Sequence, residues 1–290
     1  MAKNPLEESV KHALVDAGKL SKLFRAFGRS NHVDTPILRA YRAGYRSLSK
    51  ALDNGQGVQA VTDAFSVIKT SVQSSSLEIL NRAGRQGVES ANVQLANYGE
   101  LVGLVPDEIL ALRSEAAVAA IAAAVDRQEA TIYASWLTGR DRGMILGDDS
   151  RVGQLRPSDI LVTGAVWAAA LFWSMFSYTV DDNVGPGKYQ KMVVAALDER
   201  TTDCCLRAHG QVQPLNGKFK LTGVPRFADR IDWPPFHWYC RTAGVLYQGG
   251  YDEGLSEIMR NSAKKVLDHK AAGLPVPEIH PAKAYIVGGL

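Results

Sequence analysis

Cysteine is scarce in this sequence: three in 290 residues, all between Cys204 and Cys240. Three thiols cannot build the disulfide framework of a small secreted domain, and an odd number predicts a reducing compartment. A charge imbalance is also missing. Against 30 Asp and Glu stand 33 Lys and Arg, which excludes a chain-wide basic signature for nucleic acid and leaves only local patches. The opening MAKNPLEESVKHAL lacks the apolar core of an export signal, and no internal repeat is evident.

Long hydrophobic runs are absent save one. From Ile160 to Val180 the sequence ILVTGAVWAAALFWSMFSYTV carries no charge, a length that can cross a bilayer. Thr163, Ser174, Ser177 and the Pro-Ser-Asp start fit a central helix buried in protein, since a helix apolar all round suits either surrounding. The expectation is the buried helix, with membrane contact as the alternative.

The fold class expected is α+β, mainly α: a long helical N-terminal region, a small α+β C-terminal unit with a Cys/His clasp, and an extended C-terminal arm. Apolar residues recur at three- and four-residue spacing in Val10 to Phe24, Ile37 to Leu52 and Val58 to Leu80, the helical period. Asp107 to Leu137 contains neither glycine nor proline and is rich in alanine, which predicts one long helix able to pack closely. Glycine and charge concentrate between Thr138 and Asp159, marking a boundary near Ser150. After DDNVGPGK come the strand-like runs YQKMVVAAL, FKLTGV and TAGVLY. The predicted division is a helical docking region over 1–150, an α+β unit over 151–250, and a C-terminal helix with an extended arm over 251–290.

The chemistry-bearing residues fall in two segments, LDERTTDCCLRAHG and IDWPPFHWYCR. Cys205 and His209 are four apart, one face of a helical turn, and His237 and Cys240 have a spacing common among zinc ligands. Together they offer a Cys2His2 set for zinc. Two other uses fit the same residues: buried thiols and hydrogen-bonded histidines in a small core, or a Cys/His nucleophile oriented by Asp203 or Asp232. No oxyanion hole is recognisable for the last. Cys204, beside Cys205, leaves open which thiol points inward. Leu197 to Thr201 reads as a turn held by side-chain to backbone bonds, and Pro234 and Pro235 stiffen the approach to His237.

These residues resemble the phage Mu F-like minor head proteins, the head morphogenesis family of tailed phages. The pattern is a strand, Asp198, Arg200 and Thr201 in a turn, Cys205 followed five residues later by Gly210, then Pro234, Pro235, His237, Cys240 and Arg241. It covers Tyr189 to Leu246, about a fifth of the chain. Thr242 follows Arg241 where many relatives carry another cysteine. The resemblance implies a virion protein of low copy number that is assembled in the host cytoplasm. It would act in head assembly, in genome packaging or delivery near the portal, or in both, with the portal, major capsid or scaffolding protein as partners. No catalysis is required. Lys188, Lys191, Lys218, Lys220, Arg226 and Arg230 form either a solvated face or a contact for phage DNA phosphates.

Overall fold

The computed structural model describes residues 5–26, 36–56, 58–138, 157–221, 230–237, 240–249 and 254–277. Four long helices come early: α1 (Pro5–Ala26), α2 (Pro36–Asp53), α3 (Val58–Asn97) and α4 (Asp107–Leu137). A fifth, α5 (Pro157–Val184), precedes strand β1 (Gln190–Ala195), the short helix α6 (Asp203–Ala208) and strands β2 (Val212–Pro214), β3 (Phe219–Lys220), β4 (Arg230–Ile231) and β5 (Thr242–Tyr247). Helix α7 (Leu255–Ala271) follows. The architecture is thus α+β and mainly helical, as expected. Residues 274–277 follow α7 without regular structure, and the rest of the expected arm lies outside the described residues.

The chain forms two compact units interleaved in sequence. One gathers Met1–Ser21, Arg85–Val105 and Phe172–Leu290; the other gathers Lys22–Gly84 and Pro106–Leu171. A single cut near residue 150 does not describe this division, because α3 and α5 each run without a break and contribute one end to each unit.

The described residues of the second unit are helical apart from short connections. Val61, Phe65, Ile68 and Val72 of α3 are buried at the expected spacing, as are Ala117, Ile121, Val125 and Ile132 of α4. Gly44 of α2 lies under Ile68, where a side chain would collide. Lys69 and Asp126 tie α3 to α4 at 2.6 Å, an exposed pair that contributes about 1 kcal/mol or less.

The first unit is built on a three-stranded antiparallel sheet of order β2-β1-β5. The central strand β1 is covered on both faces. Met192 and Val194 join Ala243, Val245 and Tyr247 of β5 against Leu6, Val10 and Ala13 of α1 and Met259 of α7. Val193 and Ala195, on the opposite face, pack with Cys204, Cys205 and Ala208 of α6 and with Phe219, Leu221 and Phe236. Burial on both faces explains why YQKMVVAAL reads as a continuous apolar run and not an alternation.

The outer edge of β5 is occupied by α3. Gln94 accepts from the Leu246 N–H through its side-chain oxygen at 2.8 Å, and the Tyr98 hydroxyl donates to the Leu246 carbonyl at 3.1 Å. These side chains, one helical turn apart, stand where a neighbouring strand would. Within the same unit, Gly87 of α3 approaches the backbone of Phe172 so closely that a methyl group would fall on its carbonyl.

Helix α5 ends in this unit with Phe172, Trp173, Met175, Phe176 and Val180 buried. It is the one described helix long and apolar enough to cross a membrane, and 56% of its most apolar stretch is buried inside the protein. Trp173 stacks on Trp233 with centroids 4.1 Å apart, Phe176 meets Trp233 edge-on, and the Trp173 indole donates to the Pro234 carbonyl. Gly244 of β5 lies directly beneath the two indoles. A methyl group there would come within 2.5 Å of Trp233 and 3.0 Å of Trp173. Gly244→Ala is therefore expected to destabilise the protein by about 1–3 kcal/mol, the usual cost of overfilling a packed core. Urea unfolding followed by tryptophan fluorescence measures it, and an unchanged midpoint would show that the stack does not close on β5.

Candidate functional site: a cysteine and histidine cluster beside strand β1

The β1–β5 register brings the two chemical segments together. Ala195 pairs with Thr242, and the Ala196 N–H donates to the Arg241 carbonyl at 2.9 Å. The chain leaving β1 and the chain entering β5 therefore lie side by side, and each carries its motif to that point.

Asp198 organises the first segment. Its Oδ1 accepts from the Arg200 N–H at 3.1 Å, the Thr201 N–H at 3.0 Å and the Thr201 hydroxyl at 3.0 Å. Its Oδ2 lies 2.7 Å from the Arg241 guanidinium, so one carboxylate folds the turn and clasps the second segment. Arg200 contributes its backbone N–H, and its side chain is exposed. Thr201 is buried, and its carbonyl accepts from Lys270 of α7, which also pairs with Asp203 at 2.8 Å.

Helix α6 then presents Cys204 and Cys205, both buried. Cys205 Sγ lies 3.0 Å from His237 Nε2 and 3.6 Å from Cys240 Sγ. Thr202 Oγ1 lies 2.8 Å from the same His237 nitrogen and 3.3 Å from Cys204 Sγ. Cys204, Cys205 and His237 form a group whose ligand atoms all lie within 4.8 Å of one another. The Phe236 N–H donates to Cys240 Sγ at 3.3 Å, and the peptide bond between Pro234 and Pro235 is cis.

The electrostatics distinguish the thiols. The hydrogen bond from Cys240 is the largest influence holding Cys205 well below the ordinary thiol range, and His237 acts in the same direction against the opposing effect of burial. Burial first, then the neighbouring Cys205, pushes Cys240 up. Burial likewise raises Cys204. The arrangement is a buried Cys205 sulfur in hydrogen-bonding contact with a second thiol and an imidazole, surroundings that favour its thiolate, the form that ligates metal or reacts with electrophiles.

His209 is not in the cluster. The four-residue spacing predicts that it shares a face with Cys205, but His209 caps α6 with extended backbone, φ −55° and ψ 129°, and so leaves the helical phase. Its Nδ1 accepts from the Ala195 N–H at 2.8 Å. Cys204 stands in the group that His209 was expected to join. Gly210 serves the fold: its φ is +78°, and a methyl group would meet the Ser256 carbonyl of α7 at 2.7 Å, so both conformation and space require glycine.

The basic residues expected to meet phosphates do not form one surface. Lys191 is fully buried, its ammonium 4.2 Å from the centre of the Trp233 ring, 5.1 Å from that of Phe219 and 2.5 Å from the Asp232 carbonyl. Burial pulls its pKa down to about 8. A side chain so enclosed cannot neutralise DNA, and its charge is balanced by ring faces and a carbonyl. Lys188 pairs with Glu100 at 2.6 Å, Lys218 lies 3.9 Å from Asp232, and Lys220 is exposed. Arg226 and the Arg230 side chain lie outside what the structure describes, as do Trp238 and Tyr239.

No family model matches the chain, and no match is found among curated proteins or solved structures.

His209 gives the site a pH signature. Burial holds its pKa down at about 3, below the unfolded value of about 6.5. Unfolding therefore takes up a proton, so stability is full above pH about 6.5 and drains as the pH falls toward about 3. At pH about 5 the loss from this one group is roughly 2 kcal/mol. His209→Asn keeps an acceptor for the Ala195 N–H without the titration, and chemical unfolding at pH about 7 and about 5 is expected to show a smaller loss in the variant. Equal losses in both proteins would mean that His209 is not buried neutral.

Proposed function

We propose that this chain is a minor head protein of a tailed phage, present in few copies and acting in head assembly and in genome packaging or delivery near the portal. The observation that carries the reading is the meeting of the two motif halves. Asp198 binds its own turn and Arg241, while Cys205 meets His237 and Cys240, so that residues about forty positions apart close one clasp. Three further motif positions have structural tasks there: Gly210 admits α7, Pro234 receives the Trp173 indole, and Thr201 anchors Lys270. The helical regions are the docking elements for portal, capsid or scaffolding protein, and the site of action is the virion head, assembled in the host cytoplasm. A hydrolase built on Cys205 and His237 is disfavoured, because the thiol is fully buried and a substrate carbonyl has no approach to it.

The clasp is further read as a zinc site. Thiolates with an imidazole are the donors zinc favours, and a tetrahedral ion with Zn–S bonds of about 2.3 Å sets thiolates about 3.8 Å apart. The Cys205–Cys240 separation of 3.6 Å is close to that. Cys204, Cys205 and His237, whose ligand atoms all lie within 4.8 Å of one another, would hold the ion with Cys240 as fourth donor, and the ion would add a tie between the two segments.

Quantitative mass spectrometry of purified, DNA-filled particles of the source phage tests the first reading. The expected result is a few copies of this chain per portal ring, and its absence from both particles and assembly intermediates would overturn the proposal. For the metal, elemental analysis of the purified chain is expected to give about one zinc per chain, with a strong chelator lowering the thermal midpoint. Metal-free protein with an unmoved midpoint would remove zinc and leave the clasp a purely hydrogen-bonded one.

A further inference from the structure

The same cluster holds two sulfurs with a relation to each other that needs no metal. Cys205 and Cys240 approach to 3.6 Å, so closing a disulfide of about 2.0 Å requires a shift of about 1.6 Å. They lie on different segments, one on α6 and one on the loop after Pro235, so the shift falls on a side chain and a loop and leaves the sheet unmoved. Cys204 is a poorer partner for either thiol. It is adjacent to Cys205 on one helix, where successive side chains diverge by about 100°, and its sulfur is engaged by the Thr202 hydroxyl.

The surroundings prepare Cys205 for attack. His237 Nε2 lies 3.0 Å and the Cys240 sulfur 3.6 Å from its sulfur, so an imidazole able to take up a proton and the resolving sulfur both face it. Cys240 is partly exposed while Cys205 is enclosed, so the oxidant has to be small.

We infer that Cys205 and Cys240 are an oxidative modification site: a dithiol that hydrogen peroxide, or another small hydroperoxide, converts to an intramolecular disulfide. In the first step the Cys205 thiolate attacks one peroxide oxygen and the O–O bond breaks. Hydroxide leaves and takes a proton from solvent, and Cys205 becomes a sulfenic acid. The Cys240 sulfur then attacks the Cys205 sulfur, the S–S bond forms, and the hydroxyl departs as a second water with the Cys240 proton. Two electrons pass from the sulfurs to one peroxide, which is reduced to two waters. The site is poised to change state when the protein passes from a reducing cytoplasm to oxidising surroundings.

A second consequence rests on the zinc reading above. The disulfide removes two of the four donors, leaving Cys204 and His237, which cannot retain the ion. Metal and disulfide are then alternative closures of one clasp, chosen by redox conditions.

The test uses the full chain, reduced and stripped of metal, treated with hydrogen peroxide alone. Thiols counted after denaturation are expected to fall from three to one. Trypsin separates TTDCCLR from IDWPPFHWYCR, and the two are expected as one cross-linked peptide lacking two hydrogens. Cys204→Ser is expected to form the same link and retain no thiol, while Cys205→Ser and Cys240→Ser form none. Wild-type protein that yields only sulfinic acid, a link between Cys204 and Cys205, or a link that persists in Cys205→Ser overturns the assignment without reliance on any variant's folding. The zinc-loaded chain is run in parallel with a chromogenic chelator. A disulfide in protein that takes up no zinc supports the pair and overturns the metal reading; zinc uptake with all three thiols surviving peroxide does the reverse.

Discussion

The pairing of β1 with β5 is the constraint on which the rest of the sheet-containing unit depends. Six residues of β1 lie in register against six of β5, from Gln190 opposite Tyr247 to Ala195 opposite Thr242. A slip of one residue would turn Met192 and Val194 away from α1 and α7 and would place Lys191 among them. It would also separate Asp198 from Arg241. The clasp is thus downstream of the sheet: its residues meet because backbone hydrogen bonds between distant strands have already brought their chain segments to one point. Burial of β1 on both faces fixes that register twice, once through each face.

Lys191 shows how far the packing on one of those faces goes. A charge taken from water is costly unless it is met by compensating groups, and here two ring faces and one carbonyl surround it. The same Trp233 ring that faces the ammonium stacks on Trp173 and lies over Gly244. Segment 231–237 is therefore held from α5, β1 and β5 together, and the loop bearing His237 and Cys240 begins from a fixed base. The precision of the sulfur and imidazole positions derives from aromatic packing as much as from the donors themselves.

Much of this was legible in the sequence, for identifiable reasons. The helices through Asp107 to Leu137 and Pro157 to Val184 declare themselves because glycine and proline are rare inside them and cluster at their ends. The Asp198 turn is legible because a short acidic side chain before a threonine has few other local uses. The exchange of His209 for Cys204 was not. Helical spacing predicts a shared face only while the helix lasts, and α6 ends one residue before His209. Lys191 misleads for a related reason: charge in a sequence signals solvent, and only tertiary structure reveals a cage of rings. The interleaving of the two units leaves no trace either, since nothing in an unbroken helix marks where its neighbours change.

The Gln94 and Tyr98 contacts with Leu246 carry a consequence for the life of the chain during synthesis. A strand with bare donors and acceptors along one side invites another strand to add to it, and other newly made copies of the same protein are a ready source. The opposite border of the sheet is guarded differently: β2 is three residues long and ends in Pro214, which has no N–H to offer. On the β5 side the guard is a helix, and α3 leaves the ribosome well over a hundred residues before β5 does. The cover is made before the surface it covers, so the vulnerable border need never be presented to a neighbouring copy.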